Sequence, residues 1–349
     1  MNFKPFSFLR GIRPAPMRAI AGSAAFAAAA LLLPPLPAEA AMGSWSSTGP
    51  YGGIVQTLVV DPNIPATLYA ASAGGGVFKS IDRGANWAPA TTGLTDPTVY
   101  TVAIDPAKSS KLYAGCGTGL FKSIDGAAHW TQVGSIFNVR QIVIDPKTQA
   151  TLYAVSDGGD QVQKSVDGGK TWTQLSGLVI VSFAVLAVDP VTPSTLYAGS
   201  TGQTTATPAG GIYKSTDAGN TWKLSTAGLG TGFINPTQIW VDPDNTAIVY
   251  AAINNMGLTK SRDGGVTWNP VPTTFSGSLT VTTMDPSNPH VFYAINELAS
   301  AIYRTQNGGK AWTALAPVTP DKAVIVNTVA VDPANANRLY AGTTHGVHA

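Results

Sequence analysis

The chain has 349 residues, of which 11% are charged, and a formal net charge of +2. Four of its 21 Lys and Arg and one of its 19 acidic residues precede residue 41, which leaves 17 basic and 18 acidic residues and a net charge of −1 beyond that point. A charge this close to neutral gives no support for nucleic-acid binding. The single cysteine, Cys116, excludes an internal disulfide.

The first forty residues follow the order of regions found in a secretory signal peptide. Basic residues up to Arg18 precede an apolar, Ala-rich run over 19–33, and the pattern ends at Ala40 after small residues. We predict a signal peptide over 1–40 and one domain over 41–349 that is secreted or periplasmic. A transmembrane anchor is the alternative, but the run has 15 residues, and a span needs about 20. No later segment favours stable membrane insertion.

Seven copies of one unit fill the rest of the chain. Each copy has an apolar run that ends in Asp-Pro, then an apolar residue followed by Tyr-Ala. The aspartates of these Asp-Pro pairs are Asp61, Asp105, Asp145, Asp189, Asp242, Asp285 and Asp332, spaced 40 to 53 residues apart. Short apolar runs separated by Gly and Pro, at a period of about 45 residues, are typical of propeller blades. We therefore predict an all-β fold: a single seven-bladed β-propeller with four antiparallel strands per blade.

The two ends of the chain complement each other in this scheme. The seventh copy stops at "GVHA", before its fourth strand. Trp45 lies 16 residues before Asp61, within the range of 15 to 20 that separates Trp from Asp in the complete copies. We predict that the N-terminal segment supplies the fourth strand of the last blade and closes the ring, which removes an exposed sheet edge. A truncated chain is the alternative.

A short segment such as "SVDGGKTW" (165–172) recurs six times, once in each complete copy. The residues that define these six segments are Ser80, Asp82, Trp87, Ser123, Asp125, Trp130, Ser165, Asp167, Trp172, Ser215, Asp217, Trp222, Ser261, Asp263, Trp268, Asn307 and Trp312.

These segments resemble the Asp-box, or BNR repeat, written S/T-x-D-x-G-x-T-W. "SVDGGKTW" and "SRDGGVTW" match every defined position, whereas Ala127 replaces the Gly in one copy and Asn307 replaces the Asp in another. The superfamily that the chain resembles includes sialidases, xyloglucanase-type glycoside hydrolases, sorting receptors and photosystem II assembly factors. The resemblance implies the propeller fold and leaves the function open.

We interpret the Asp-boxes as structural turns. A catalytic group is needed once, but these side chains occur six times, and Asp followed by Gly is suited to a tight connection. A basic residue precedes each box, for example Lys122 and Lys214. We expect it to be a solvated strand residue whose stem covers apolar surface.

The opposite face carries the connections that differ between copies, which is how binding faces are built on a fixed scaffold. We predict that a ring of polar residues at the channel mouth on that face, five places before the Asp of each Asp-Pro, binds a ligand. The ligand-binding candidates are Gln56, Tyr100, Arg140, Trp240, Asn254, Asn255 and Asn327. Trp240 has two interpretations, a core residue that fills a wide gap or a platform for a sugar ring.

The partner is a protein or a glycan, and the sequence does not choose between them. The alternative function is a xyloglucanase-like glycoside hydrolase that acts at the propeller mouth, and Asp157, Asp160 and Glu297 are its candidate carboxylates. The resemblance argues against a sialidase, because only Arg140 among the Arg is at the mouth. It also argues against the cleft of the xyloglucanases, because that cleft lies between two propellers and this chain has residues for only one. The sequence predicts no metal site and no cofactor, and the chain is expected to be a monomer.

Overall fold

A computed structural model describes residues 45–50, 53–157, 162–178, 182–201, 210–230, 234–254, 256–273, 280–296, 301–319, 321 and 323–349. The predicted signal peptide over 1–40 lies outside these residues. In the part of the chain that is described, no helix has the length and apolar character that crossing a membrane requires.

The described strands form seven four-stranded antiparallel sheets, each a blade of a propeller. The first strands of the blades are β2 (Ile54–Val60), β6 (Val99–Ile104), β10 (Val139–Ile144), β14 (Ser182–Val188), β18 (Pro236–Val241), β22 (Thr280–Asp285) and β26 (Val326–Asp332). The second strands are β3 (Leu68–Ala73), β7 (Leu112–Cys116), β11 (Leu152–Ser156), β15 (Leu196–Thr201), β19 (Val249–Ile253), β23 (Asn288–Asn296) and β27 (Asn335–Thr343).

The third strands are β4 (Gly76–Ser80), β8 (Leu120–Ser123), β12 (Val162–Ser165), β16 (Gly211–Ser215), β20 (Gly257–Ser261), β24 (Ala301–Thr305) and β28 (Gly346–His348). The fourth strands are β5 (Ala88–Pro89), β9 (Thr131–Gly134), β13 (Thr173–Gln174), β17 (Lys223–Leu224), β21 (Asn269–Pro270), β25 (Thr313–Ala314) and β1 (Ser47–Gly49). First strands of neighbouring blades contact one another, so they surround the centre of the ring. The predicted seven-bladed propeller is confirmed.

The seventh blade combines the two ends of the described chain, in the order β1-β28-β27-β26. Ser47 pairs with His348 and Gly49 with Val347. The indole Nε1 of Trp45 donates to the carbonyl of Ala316 at 3.0 Å, and the Trp45 side chain packs against the core of the sixth and seventh blades. The contribution of this segment to the closed ring stays a prediction.

The core lies between the blades, where the second strands are buried along most of their length. The tyrosines of the Tyr-Ala pairs are at most 1% exposed in every blade and fill the space between neighbouring sheets. Burial raises the pKa of Tyr69 to about 12, with the charge of Asp61 as the second cause. Cys116 is also buried, and burial raises the pKa of its thiol to about 12, so this cysteine is a core residue rather than a reactive one.

Candidate functional site

Each of the six segments that resemble the Asp-box, and that keep this name below, is a hydrogen-bonded turn. In the third blade the Ser165 hydroxyl donates to Asp167 Oδ1 at 2.8 Å and accepts from the Gly169 amide at 2.9 Å. Asp167 also accepts from the amide and the hydroxyl of Thr171, at 3.0 and 2.6 Å. The Thr171 hydroxyl bond, followed by its amide bond, holds the pKa of Asp167 well below its ordinary value. The carboxylate is occupied by its own turn, which agrees with a structural role.

The basic residue before each box does more than cover apolar surface. Lys79, Lys122 and Lys214 donate from Nζ to a carbonyl in the Asp-box of the next blade, those of Gly126, Gly168 and Gly264, at 2.6 to 2.9 Å. The ammonium of Lys122 also lies 5.5 Å from the ring centroid of Tyr113. For Lys79, Lys122 and Lys214 the expected solvated role is therefore wrong, because these side chains join adjacent blades.

The boxes share one face with the Asp-Pro turns. The Gly168 amide of the third box donates to Ala150 O in the connection that follows Asp145, at 2.8 Å, and the Gly264 amide of the fifth box bonds to Ala247 O in the same way. We call this side the box face. The connections between second and third strands lie on the opposite side, which we call the mouth face. There the amides of Asp157 and Asn254 donate to carbonyls in the connections that enter the first strands.

A β-bulge interrupts each first strand near the mouth face. In five blades the bulged residue is five places before the Asp-Pro aspartate: Gln56, Tyr100, Arg140, Thr237 and Asn327. In β14 the bulge lies between Ser182 and Ala184, and in β22 it is at Thr282, so the predicted register does not extend to these two blades. Bulges redirect side chains and are common beside functional sites.

Three side chains assemble on the mouth face between the second and third blades. The Arg140 guanidinium lies 3.7 Å from the ring centroid of Tyr100, and Arg140 Nε donates to Asp157 Oδ2 at 2.6 Å. The side chains of Arg140 and Asp157 are about one third exposed. Among the described residues, the Nη atoms of Arg140 have no hydrogen-bond partner.

Asp96 supports this cluster and was not a candidate from the sequence. Its carboxylate is buried and accepts from the amides of Thr98 and Thr118, each at 2.8 Å. These two bonds join the connection that enters β6 to the connection that leaves β7. The Asx turn at "DPT" was the available signal for Asp96. Asp96 therefore fixes the loops beside Tyr100.

The remaining candidates do not join the cluster. Asn327 donates from Nδ2 to the carbonyl of Val55 at 3.0 Å, across the boundary between the seventh and first blades. Gln56 is half-buried and Asn254 is exposed. Trp240 packs in the core between the fifth and sixth blades, with its ring 5.4 Å from that of Phe292. This contact agrees with the core interpretation of Trp240.

Asn255, Asp160 and Glu297 lie outside the described residues, so the pairing of Asp157 with either carboxylate stays a prediction. Among the residues that are described, no group of three or more His, Cys, Asp or Glu is arranged to hold a metal ion.

The sequence is similar to parts of xyloglucanases. No family model matches it. A xyloglucanase from Paenibacillus sp is 29% identical over 163 residues, which are 37% of this chain and 16% of the relative. A xyloglucanase from Hypocrea jecorina is 26% identical over 295 residues, 82% of this chain and 29% of the relative. The chain thus spans less than a third of the length of these relatives.

Solved structures share the fold. The GH74 enzyme of Niastella koreensis has a TM-score of 0.69 and 20% identity over 87% of this chain and 53% of its own. YCF48 bound to D1 peptide has a TM-score of 0.63 and 14% identity, over 88% of this chain and 96% of its own. The extracellular domain of BT4673 from B. thetaiotaomicron has a TM-score of 0.65 and 12% identity, over 87% of this chain and 39% of its own. At these identities the likeness supports the propeller fold alone.

Proposed function

We propose that residues 41–349 form an exported, non-catalytic binding or assembly module that holds a protein or glycan partner on its mouth face. The cluster of Tyr100, Arg140 and Asp157 carries this proposal. Asp157 fixes Arg140 at Nε and Tyr100 supports its plane, so that the guanidinium is preorganised before a ligand arrives. Preorganisation reduces the entropy that binding would otherwise cost.

The similar proteins support both partner classes. YCF48 matches this chain over nearly all of its own length, and its structure has been solved with a D1 peptide bound. The xyloglucanases act on a glycan, as their name says. The Nη atoms of Arg140 suit either class, since peptide carbonyls, carboxylates and sugar hydroxyls all accept hydrogen bonds from a guanidinium.

The test is a glycan array together with affinity capture from the secreted fraction, both with residues 41–349. Arg140→Ala and Tyr100→Ala should each weaken the selected interaction at least about tenfold, as expected of a central anchor. Asp157→Asn should weaken it less, because it loosens Arg140 without removing it. Lys170→Ala on the box face is the matched control and should bind like the wild type. Equal binding by Arg140→Ala would overturn the proposal.

The glycoside hydrolase alternative is favoured by the sequence similarity to xyloglucanases. It requires two carboxylates across a glycosidic bond, drawn from Asp157, Asp160 and Glu297. A screen for reducing sugar released from xyloglucan and other polysaccharides separates the two functions. Release by the wild type that Glu297→Gln or Asp160→Asn abolishes would establish the enzyme, whereas the binding function predicts no turnover.

Export is part of the proposal. The signal-peptide pattern over 1–40 and the exported setting of the BT4673 extracellular domain support a secreted or periplasmic location. N-terminal sequencing of the protein recovered outside the cytoplasm should begin at Ala41.

A further inference from the structure

The box face of the first three blades has four exposed large apolar side chains, and three of them stand in the Asp-boxes. Ile81, Ile124 and Val166 are 71%, 68% and 65% exposed. Each follows the Ser of its Asp-box, so the three occupy the same position on consecutive blades. We call them the apolar arc. The same position in the next three boxes holds Thr216, Arg262 and Gln306, which are polar or charged.

Hydrogen bonds fix the turns that carry the apolar arc. Within its blade each turn bonds to the Asp-Pro connection, as the amide of Gly126 does to the carbonyl of Ser110 at 2.9 Å. Lys79 and Lys122 then join each box to the next. Because the three turns are equivalent and are held by these hydrogen bonds, we expect their apolar tips to lie at similar heights and to remain exposed.

The charge of the first three blades differs between the box face and the mouth face. On the box face, the described residues between 53 and 178 include eight Lys and Arg and six Asp, whereas on the mouth face they include Arg140, Asp96 and Asp157. Three of the box-face aspartates, Asp61, Asp105 and Asp145, are buried behind the amides of their own turns. The basic side chains of Arg83, Lys108, Lys147 and Lys170 belong to exposed residues around the arc.

We infer that the apolar arc docks on an anionic lipid surface. Exposed Ile and Val tips on equivalent turns of neighbouring blades suit a plane, and surrounding cations suit anionic headgroups. Three separate tips do not form the contiguous patch of about 800 Å² per partner that stable protein interfaces bury. Docking in this orientation turns the mouth face, with its opposite charge, away from the membrane and toward a soluble partner.

Vesicle sedimentation tests the inference with purified residues 41–349. The probes are phosphatidylcholine vesicles with and without phosphatidylglycerol as about one third of the lipid. The wild type should sediment with the anionic vesicles and remain in the supernatant with the neutral ones. Binding should weaken in about 1 M salt, where the Debye length falls to about 3 Å.

The triple variant Ile81→Ser, Ile124→Ser, Val166→Ser should lower partitioning onto anionic vesicles at least about tenfold, because it removes the buried apolar area. These side chains are exposed, so the variant should fold, and near-ultraviolet circular dichroism checks this. Thr216→Ala with Gln306→Ala, at the equivalent positions of the fourth and sixth blades, is the control and should bind like the wild type. The inference is overturned if the wild type ignores anionic vesicles, binds neutral ones equally, or is matched by the triple variant.

Discussion

Ala218 adopts a left-handed backbone conformation, with a φ of 59°, at a box position where four of the other boxes have Gly. A Cβ is unfavourable there, so Ala218→Gly should raise the free energy of unfolding by about 1 kcal/mol. Urea denaturation measures the change. Ala107→Gly is the control, because Ala107 is exposed in a turn and has no positive φ. That substitution should lower stability, and a parallel loss in Ala218→Gly would contradict the argument.

The role of Asp96 in joining two loops can be tested by a single substitution. Asp96→Asn replaces one carboxylate oxygen with a donor, which leaves the amide of Thr98 or Thr118 without an acceptor. The loss of stability should be on the order of 1 to 3 kcal/mol, and hydrogen exchange at these two amides should accelerate. Asp244→Asn, at an exposed position, should stay within about 0.5 kcal/mol of the wild type. Unchanged exchange in Asp96→Asn would count against the proposed loop support.

The strand pattern was predictable at the scale of elements, because Asp-Pro, Tyr-Ala and the Asp-box each mark a strand end within one unit. The register of the first strands was less predictable. A bulge adds a residue to a strand without changing the sequence pattern. In β14 and β22 the bulged residue is therefore not the one five places before Asp189 or Asp285. Tyr100 and Arg140 were predicted by position, but the bond from Arg140 to Asp157 depends on a loop geometry that composition does not encode.

Contacts between blades could not be predicted from the sequence pattern either, because the bonded residues are far apart in the chain. Lys122 and Gly168, for example, are 46 residues apart. Lys122→Met keeps the apolar stem and removes the donor, and it should lower the free energy of unfolding by about 1 kcal/mol. Lys170→Met is the matched control, because Lys170 is exposed and its Nζ has no hydrogen bond to a described residue. Equal denaturation midpoints for the two variants would mean that the bond between the blades contributes nothing.

His348 in the seventh blade is expected to make the stability of the protein depend on pH. His348 on β28 is buried between Ser47 of β1 and Ala341 of β27, and its Nε2 has no partner among the described residues. Burial, followed by the charge of His345, lowers the pKa of His348 below its ordinary 6.5. The neutral form is therefore favoured on folding. Its contribution is fully present above pH 6.5 and is lost as the pH falls toward the lowered value.

We expect the free energy of unfolding to decrease between neutral pH and pH 5, and His348→Gln to reduce this decrease. His290→Gln, at an exposed position, should leave the pH dependence unchanged. Denaturation curves measured across this range decide between them. A wild-type slope retained in His348→Gln would assign the acid sensitivity to other groups.

Closure of the ring can be tested with variants of the N-terminal segment that contains β1. If β1 completes the seventh blade, deletion of residues 42–50 should lower the melting temperature markedly, because β28 becomes an open edge and loses its partner. Trp45→Ala tests the same point without shortening the chain. It removes the bond to Ala316 and the packing against the core of the sixth and seventh blades, and should cost about 2 to 4 kcal/mol. Ser46→Ala, at a neighbouring exposed position, should change stability by less than about 0.5 kcal/mol. A melting temperature unchanged by both the deletion and Trp45→Ala would show that the ring holds without this strand.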